Sequence, residues 1–474
     1  MSDTTLPLSG GRVSVTVATT AAAVCCGIAA ALTAVGIAGR STLLALVPVV
    51  VCAGIIIGAI ALARFAVFVL LMLLIRASID AFQLSPGAGS RLLTPSTIVG
   101  VFFIAAAALW LVVAYRQRGG LPGSRLRTAL VALVCVSLVS VPGAVNPQMS
   151  LTSVMRLLAI VLMFAVLEQL MVDPRMMRRA LVVVFCSAIF PIAYTVAGHV
   201  TGNPPVEVKG DVTRLVGTFA QSNAFGAYLM LLIIMGVAVF SHTPGRIRAG
   251  LSLLLAACAV CLVLTYTLAA LLGVLFGLIV VGIRQSRRLL LWVGTVLGLA
   301  VMIVPTLSDR LGAVAASSTY AAQGSAHAGN SLAWRLSYWS EIAHLADRNP
   351  ATGVGYGMTS HLTQEGKQPH NDYLRAYVET GVLGLLVYLA VIVLLIRLGL
   401  GAVRKAPPGT LDRAIAVGYL GCAVALALTS VASNKINGVA QLWYFVTFAA
   451  AASAVLRRGP SAPTPEHEAT AREV

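Results

Sequence analysis

The chain has 474 residues, 58% hydrophobic and only 10% charged, with a mean hydropathy of +0.92 and a net charge of +17. A soluble globular chain carries ~25% charged residues, so a soluble domain is excluded and an integral membrane protein is expected. The positive charge does not point to nucleic acid, because Lys and Arg fall in short runs between apolar stretches rather than on one face or arm.

At the N-terminus, Arg12 precedes about 26 mostly apolar residues, too long for the core of a signal peptide, which reads as an uncleaved first span. A span needs ~20 apolar residues, and about fourteen stretches qualify. They lie near 13–38, 41–60, 61–79, 95–115, 125–143, 151–171, 177–198, 222–241, 246–264, 266–284, 288–306, 373–397, 411–432 and 437–456. Two of these divisions are thin: 41–79 reads either as two spans turning at Arg64 or as one long span plus a surface helix, and the ninth and tenth spans part only at Tyr266. The expected fold is all-α, a polytopic transmembrane helical bundle of about 12–14 spans with one large extracytoplasmic loop containing short amphipathic helices. Residues 1–198 form the N-terminal transmembrane helices and 199–397 a catalytic region that includes the outer loop 307–369. Residues 398–458 form the C-terminal transmembrane helices, and 459–474 read as a disordered cytoplasmic tail.

Orientation follows from the loops. With a cytoplasmic N-terminus, Arg116, Arg118, Arg125 and Arg127 fall inside, as do Arg175, Arg178 and Arg179, then Arg246 and Arg248, then Arg284, Arg287 and Arg288. Arg397, Arg404, Lys405, Arg413, Arg457 and Arg458 continue the alternation without a break. The loops 199–221 and 307–369 therefore face outward. The eight cysteines all lie in apolar runs and read as small buried residues, with neither a disulfide framework nor metal-ligand spacing.

Lys and Arg are disfavoured outside, so each outer cation invites a question. Arg214 lies in a polar entry to the eighth span, Thr213 through Gly226, which also holds Asn223. A planar guanidinium suits bidentate phosphate binding, and anchoring to lipid headgroups is the competing role. Arg335 lies in a segment whose apolar and aromatic residues 332, 336, 339, 342 and 343 recur at helical spacing. That spacing predicts an amphipathic helix on the membrane, with Trp334 and Trp339 as interfacial anchors. The run Gly353-Val354-Gly355-Tyr356-Gly357 lacks the strand and helix context of a nucleotide loop and reads as a tight turn.

The most informative segment is Pro369-His370-Asn371-Asp372-Tyr373 running to Gly384, where the long polar loop re-enters the apolar chain. A helix N-terminus disfavours imidazolium and keeps a histidine neutral, the form a general base requires. Helix capping by His370, Asn371 and Asp372 is the structural alternative. Glu379, nine residues on, is half a turn out of phase with His370 and takes a structural role, with Gly381 and Gly384 as a close-packing patch. His199, His327, His344 and His361 show no repeated spacing, and no metal site is expected.

Taken in order, Arg214 through Gly226, the Gly353-Val354-Gly355 turn and the His370 to Gly384 block resemble the O-antigen ligase and Wzy-type polymerase superfamily, over about residues 205–395. The resemblance implies metal-independent transfer of a glycan, without a cofactor, from an undecaprenyl-diphosphate carrier to an acceptor hydroxyl at the outer face of the cytoplasmic membrane. The acceptor is a lipid, wall or glycan group in a ligase, or a second lipid-linked repeat in a polymerase. It also implies His370 as the base and outer arginines as diphosphate ligands, assigned to Arg214 and Arg335, with Asn371, Glu379, Asn223 and Tyr373 in support. Many relatives carry a Ser-Arg pair after a Leu-Thr run, whereas here Leu264-Thr265-Tyr266 leads into Thr267-Leu268, so Arg335 stands in for the second arginine. A non-enzymatic transporter or flippase of lipid-linked glycan is the main rival. Coupled transporters place charges at mid-membrane depth, and here Glu168, Asp80 and Arg156 lie near span ends. A shape-and-division type glycosyltransferase would need an acidic motif that the chain does not show.

Overall fold

The structure, a computed structural model, describes residues 54–79, 95–209, 212–291, 294–295, 298, 331–347, 349–363, 365–436 and 438–458. The expected span 13–38, most of 288–306, the start of 41–60, Asp80, His327, the side chain of Trp334 and the tail 459–474 fall outside them. The chain divides into two compact units, 1–72 and 73–474. Of the first, helix α1 (Gly54–Ala63) and the start of α2 (Phe65–Ile79) are described, and they part at Arg64 as the sequence suggests.

The second unit continues with α3 (Pro95–Arg118), α4 (Arg125–Val139), α5 (Pro147–Leu170), α6 (Pro174–Cys186) and α7 (Ile189–Val200). After a hairpin of β1 (Val206–Lys209) and β2 (Val212–Leu215) come α8 (Ser222–Val239), α9 (Gly245–Leu264), α10 (Leu268–Gln285), α11 (Ser331–Ala346) and α12 (Thr359–Leu362). The chain closes with α13 (Asp372–Lys405), α14 (Leu411–Thr429) and α15 (Val439–Arg457). Among the described residues ten spans are long and apolar enough to cross a membrane, one of them α6 and α7 together. The protein is an all-α polytopic bundle.

Local signals start these helices where the polar breaks predict. Side chains of Ser124, Asn146, Asp173, Asn371 and Thr410 each accept a first-turn N–H, and Pro147 and Pro174 sit at positions where no hydrogen bond is forfeited. The break at Tyr266 is real: Tyr266 has φ +46 between α9 and α10.

The centre of the bundle is α15, flanked by α5, α13, α14 and α8. Small residues let these backbones approach. A Cβ at Gly421 would lie 2.8 Å from the Gly277 carbonyl oxygen, and one at Gly277 would lie 2.3 Å from Ile234 Cδ1, so α10, α14 and α8 cross closely. Polar side chains tie the helix ends. At one end the buried Glu168 carboxylate pairs with Arg127 at 3.0 Å and Arg457 at 2.6 Å, and accepts from Ser453 at 3.1 Å. At the opposite end Tyr356 N–H donates to Ser140 Oγ at 3.0 Å and Ser150 Oγ donates to the Tyr356 carbonyl at 2.8 Å. Among the described residues, loops that the charge pattern assigns to the inside meet one another, His242 Nε2 lying 3.1 Å from the Gly409 carbonyl and Arg458 Nη2 2.6 Å from that of Met171, and segments assigned to the outside do the same, Arg335 meeting Ala432.

Candidate functional site

The second end is organised by the short connection between α14 and α15. A 3-10 turn, Ser430–Ala432, follows Thr429, and residues 433–438 lead into α15. The last carbonyls of a helix lack intrahelical donors, and one of them is met from outside: Arg335 Nη1 on α11 donates to the Ala432 carbonyl at 3.1 Å.

His370 docks on the same connection. Its backbone has φ +52, uncommon for a residue with a side chain, and its N–H donates to Asn434 Oδ1 at 2.8 Å. Asn434 Nδ2 then faces the imidazole, 3.2 Å from Nδ1. Because the backbone N–H is a donor that only Oδ1 can accept, the amide orientation is settled, and Nδ1 must be the ring's accepting nitrogen. In its neutral form the ring then carries its proton on Nε2 and its lone pair on Nδ1.

The neighbouring residues fasten this turn. Asn371 caps α13, its Oδ1 accepting from Tyr373 N and Leu374 N, both at 3.1 Å. Asp372, fully buried, accepts from the backbone N–H of Lys435 at 2.9 Å and of Ile436 at 3.4 Å. Tyr373 Oη donates to the Ala427 carbonyl at 2.9 Å. Capping thus falls to Asn371, and His370 stands outside the helix.

α11 closes over this turn. Its buried face is Tyr338, Ile342, Leu345 and Ala346, packed on Val354 and Val378, while Leu336 is 40% exposed. The helix is as expected, but its face is turned relative to the 332, 336, 339, 342, 343 stripe because it packs on α13. Trp339 Nε1–H donates to the Pro369 carbonyl at 2.6 Å and Tyr338 Oη donates to the Lys367 carbonyl at 2.6 Å. Trp339 thereby holds the segment that leads into His370. Arg335 is partly buried, which lowers its pKa, and its Nε has no hydrogen-bond partner among the described residues.

The glycine-rich turn docks on a kink in α13. Gly381 has φ 71 and ψ −172, interrupting the helix. There Val354 N–H donates to Val378 O at 2.9 Å, Gly355 N–H to Glu379 O at 3.2 Å, and Val382 N–H to Pro350 O at 2.9 Å. Gly353 has φ +73, and a Cβ there would lie 2.3 Å from the Glu379 carbonyl carbon, so the turn needs glycine for both conformation and approach. Glu379, fully buried, accepts from Gly357 N at 2.8 Å and Thr359 Oγ1 at 2.8 Å, and pairs with Arg375 Nε at 2.9 Å. It braces the site without touching His370.

Arg214 sits on β2, opposite Glu207 in the hairpin register, and is partly buried. Glu207 Oε1 accepts from Ser222 N at 3.0 Å and also from the Ser222 hydroxyl, tying the hairpin to the start of α8. Asn223 Oδ1 accepts from Thr267 Oγ1 at 3.4 Å, joining α8 to the turn before α10. The structure thus gathers His370 and Arg335 on one connection, while Arg214 and Asn223 reach the same end of the bundle through α8.

Three features escaped sequence reasoning. The hairpin was signalled by the alternation Val206-Glu207-Val208-Lys209, the dipeptide Gly210-Asp211 and Val212-Thr213-Arg214-Leu215. Asn434 and Lys435 were signalled by a lysine in a tight break between two spans, on the side that the charge pattern assigns to the outside. Lys435 is 4% exposed, and burial pushes its ammonium down to about 8 against the opposing pull of Asp372. Arg375, 1% exposed with both Nη atoms lacking partners among the described residues, lies 5.7 Å from the Tyr356 ring centre; no pattern marked it. Among the described residues no group of three or more His, Cys, Asp or Glu is placed to hold a metal ion.

Residues 251–389 match the family profile described as O-Antigen ligase. The match contains Arg335, His370 and Glu379 and leaves out Arg214, Asn434 and Lys435. Among curated proteins, none matches the chain.

Proposed function

Taking residues 251–389 as an O-antigen ligase segment, we propose that the protein is a membrane glycosyltransferase of the ligase type. It moves a glycan from an undecaprenyl-diphosphate carrier to an acceptor hydroxyl at the outer face of the cytoplasmic membrane. The observation that carries this reading is the gathering of His370 and Arg335 by the 430–438 connection, inside or beside the matched segment.

In the reaction the acceptor oxygen attacks the anomeric carbon, the bond from that carbon to the diphosphate oxygen breaks, and the diphosphate leaves with the electron pair. The proton of the acceptor hydroxyl goes to the Nδ1 lone pair of His370, displacing the Asn434 amide that holds it at rest. Direct displacement inverts the anomeric centre. Arg335, with Arg214 from the hairpin, opposes the charge that grows on the leaving group as the bond breaks. Tyr373, Asn371 and Glu379 hold the turn that presents His370.

The test is turnover of purified protein with a lipid-linked donor. His370→Ala should lose about 10²-fold or more while inserting normally, and Arg335→Ala should fall further than Arg335→Lys, which keeps charge without the bidentate fork. Wild-type turnover by His370→Ala refutes the assignment. In a deletion strain, long polymer left on the carrier lipid marks a ligase, and single repeats mark a polymerase.

A further inference from the structure

A diphosphate leaving group carries at least two negative charges, and the connection that holds His370 carries a cation of its own, Lys435. Lys435 follows Asn434, the residue that holds His370 by both its backbone N–H and its ring. Its own backbone N–H is spent on Asp372 at 2.9 Å. The side chain is 4% exposed, and the charge its ammonium faces among the described residues is the Asp372 carboxylate. Of the titratable and charged groups, Asp372 faces it and Arg375, one turn behind on α13, faces Asp372, while His370 and Arg335 bind the same connection at Asn434 and Ala432. The Asp372 carboxylate already accepts from two backbone N–H groups and faces Arg375 as well. A desolvated ammonium whose facing carboxylate is shared with two backbone N–H groups and an arginine is costly unless a further anion completes it.

We propose that the Lys435 ammonium binds an oxygen of the donor's diphosphate and neutralises it as the glycan departs. This rests on the glycan-transfer reading above, and it adds a ligand that lies outside the matched family segment. Arg335 reaches the connection from α11 and Lys435 belongs to the connection itself, so the two cations approach the same region from different elements. Lysine brings a compact charge that titrates where an arginine would not.

That difference supplies the test. Only the protonated amine binds, so transfer should decline as pH rises through about 8. Lys435→Arg should retain transfer above that point, because a guanidinium stays charged past pH ~12. Lys435→Met, close in length and neutral, should lower kcat/KM by about 10²-fold at pH 7 with an unchanged melting temperature. Binding of geranyl diphosphate to the detergent-solubilised protein provides a readout independent of transfer, and Lys435→Met should weaken it. If Lys435→Met transfers and binds like the wild type, or Lys435→Arg keeps the same alkaline decline, the proposal falls while the transfer reading stands. If the wild type binds the prenyl diphosphate through Lys435 but transfers nothing, the transfer reading falls and the site stands. A wild type that neither binds nor transfers overturns both.

Discussion

Replacing Glu379 by alanine should destabilise the protein more than any single change at its surface. The carboxylate is fully buried, and it compensates an Arg375 guanidinium that is 1% exposed and whose two Nη atoms have no partner among the described residues. Removing one member of a buried pair strands the other, at ~3–5 kcal/mol. The same substitution leaves the Gly357 N–H, bonded at 2.8 Å, and the Thr359 hydroxyl, bonded at 2.8 Å, without their acceptor, each worth about 1–3 kcal/mol when left unmet. These terms share one side chain and do not simply add, so the pair term sets the floor. The double variant Arg375→Met with Glu379→Leu removes both charges and should recover most of that loss, leaving mainly the cost of the two orphaned loop donors. Reversible unfolding in mixed detergent micelles gives the comparison. A Glu379→Ala protein as stable as the wild type, or a double variant less stable than Glu379→Ala, would refute the view that this buried pair braces the site.

Asn434→Asp keeps an acceptor for the His370 N–H but sets a carboxylate against Nδ1. The imidazolium is then favoured, and the acidic limb of the pH–rate profile should move to higher pH; an unmoved limb would refute the contact between residue 434 and the imidazole. Gly381→Ala forces a side chain into φ 71, ψ −172 and sets a Cβ 2.1 Å from the Ala351 carbonyl oxygen. It should cost more than the ~1–3 kcal/mol of backbone strain alone, read as a lower midpoint in the same unfolding assay. In a cysteine-free background, Glu365→Cys should react with an impermeant maleimide in intact cells and Ser286→Cys should not, and the reverse pattern would invert the orientation.

Hydropathy and charge alternation alone identified a polytopic α-helical membrane protein, placed the polar breaks, and marked His370 at the entry of a span. Those features are legible because burial in lipid acts on each segment separately: twenty apolar residues must span, and cations prefer one side, whatever the neighbours do. The sequence likewise marked Gly353 and Gly381, since a turn and a close approach each leave a local trace. Tertiary structure alone decided which groups meet. Asn434 lies 64 residues from His370 and Arg335 97 residues from Ala432, and no periodicity within one helix reports on such a distance. The buried face of α11 was set by α13 rather than by its own apolar stripe. Arg375 was unreadable for a similar reason, because its significance rests on the burial of its guanidinium between Glu379 and Tyr356, which exists only once the glycine-rich turn has docked on the kink. Segment identity follows from transfer free energy residue by residue, whereas the pairing of polar groups follows from helix packing, a property of the assembled bundle.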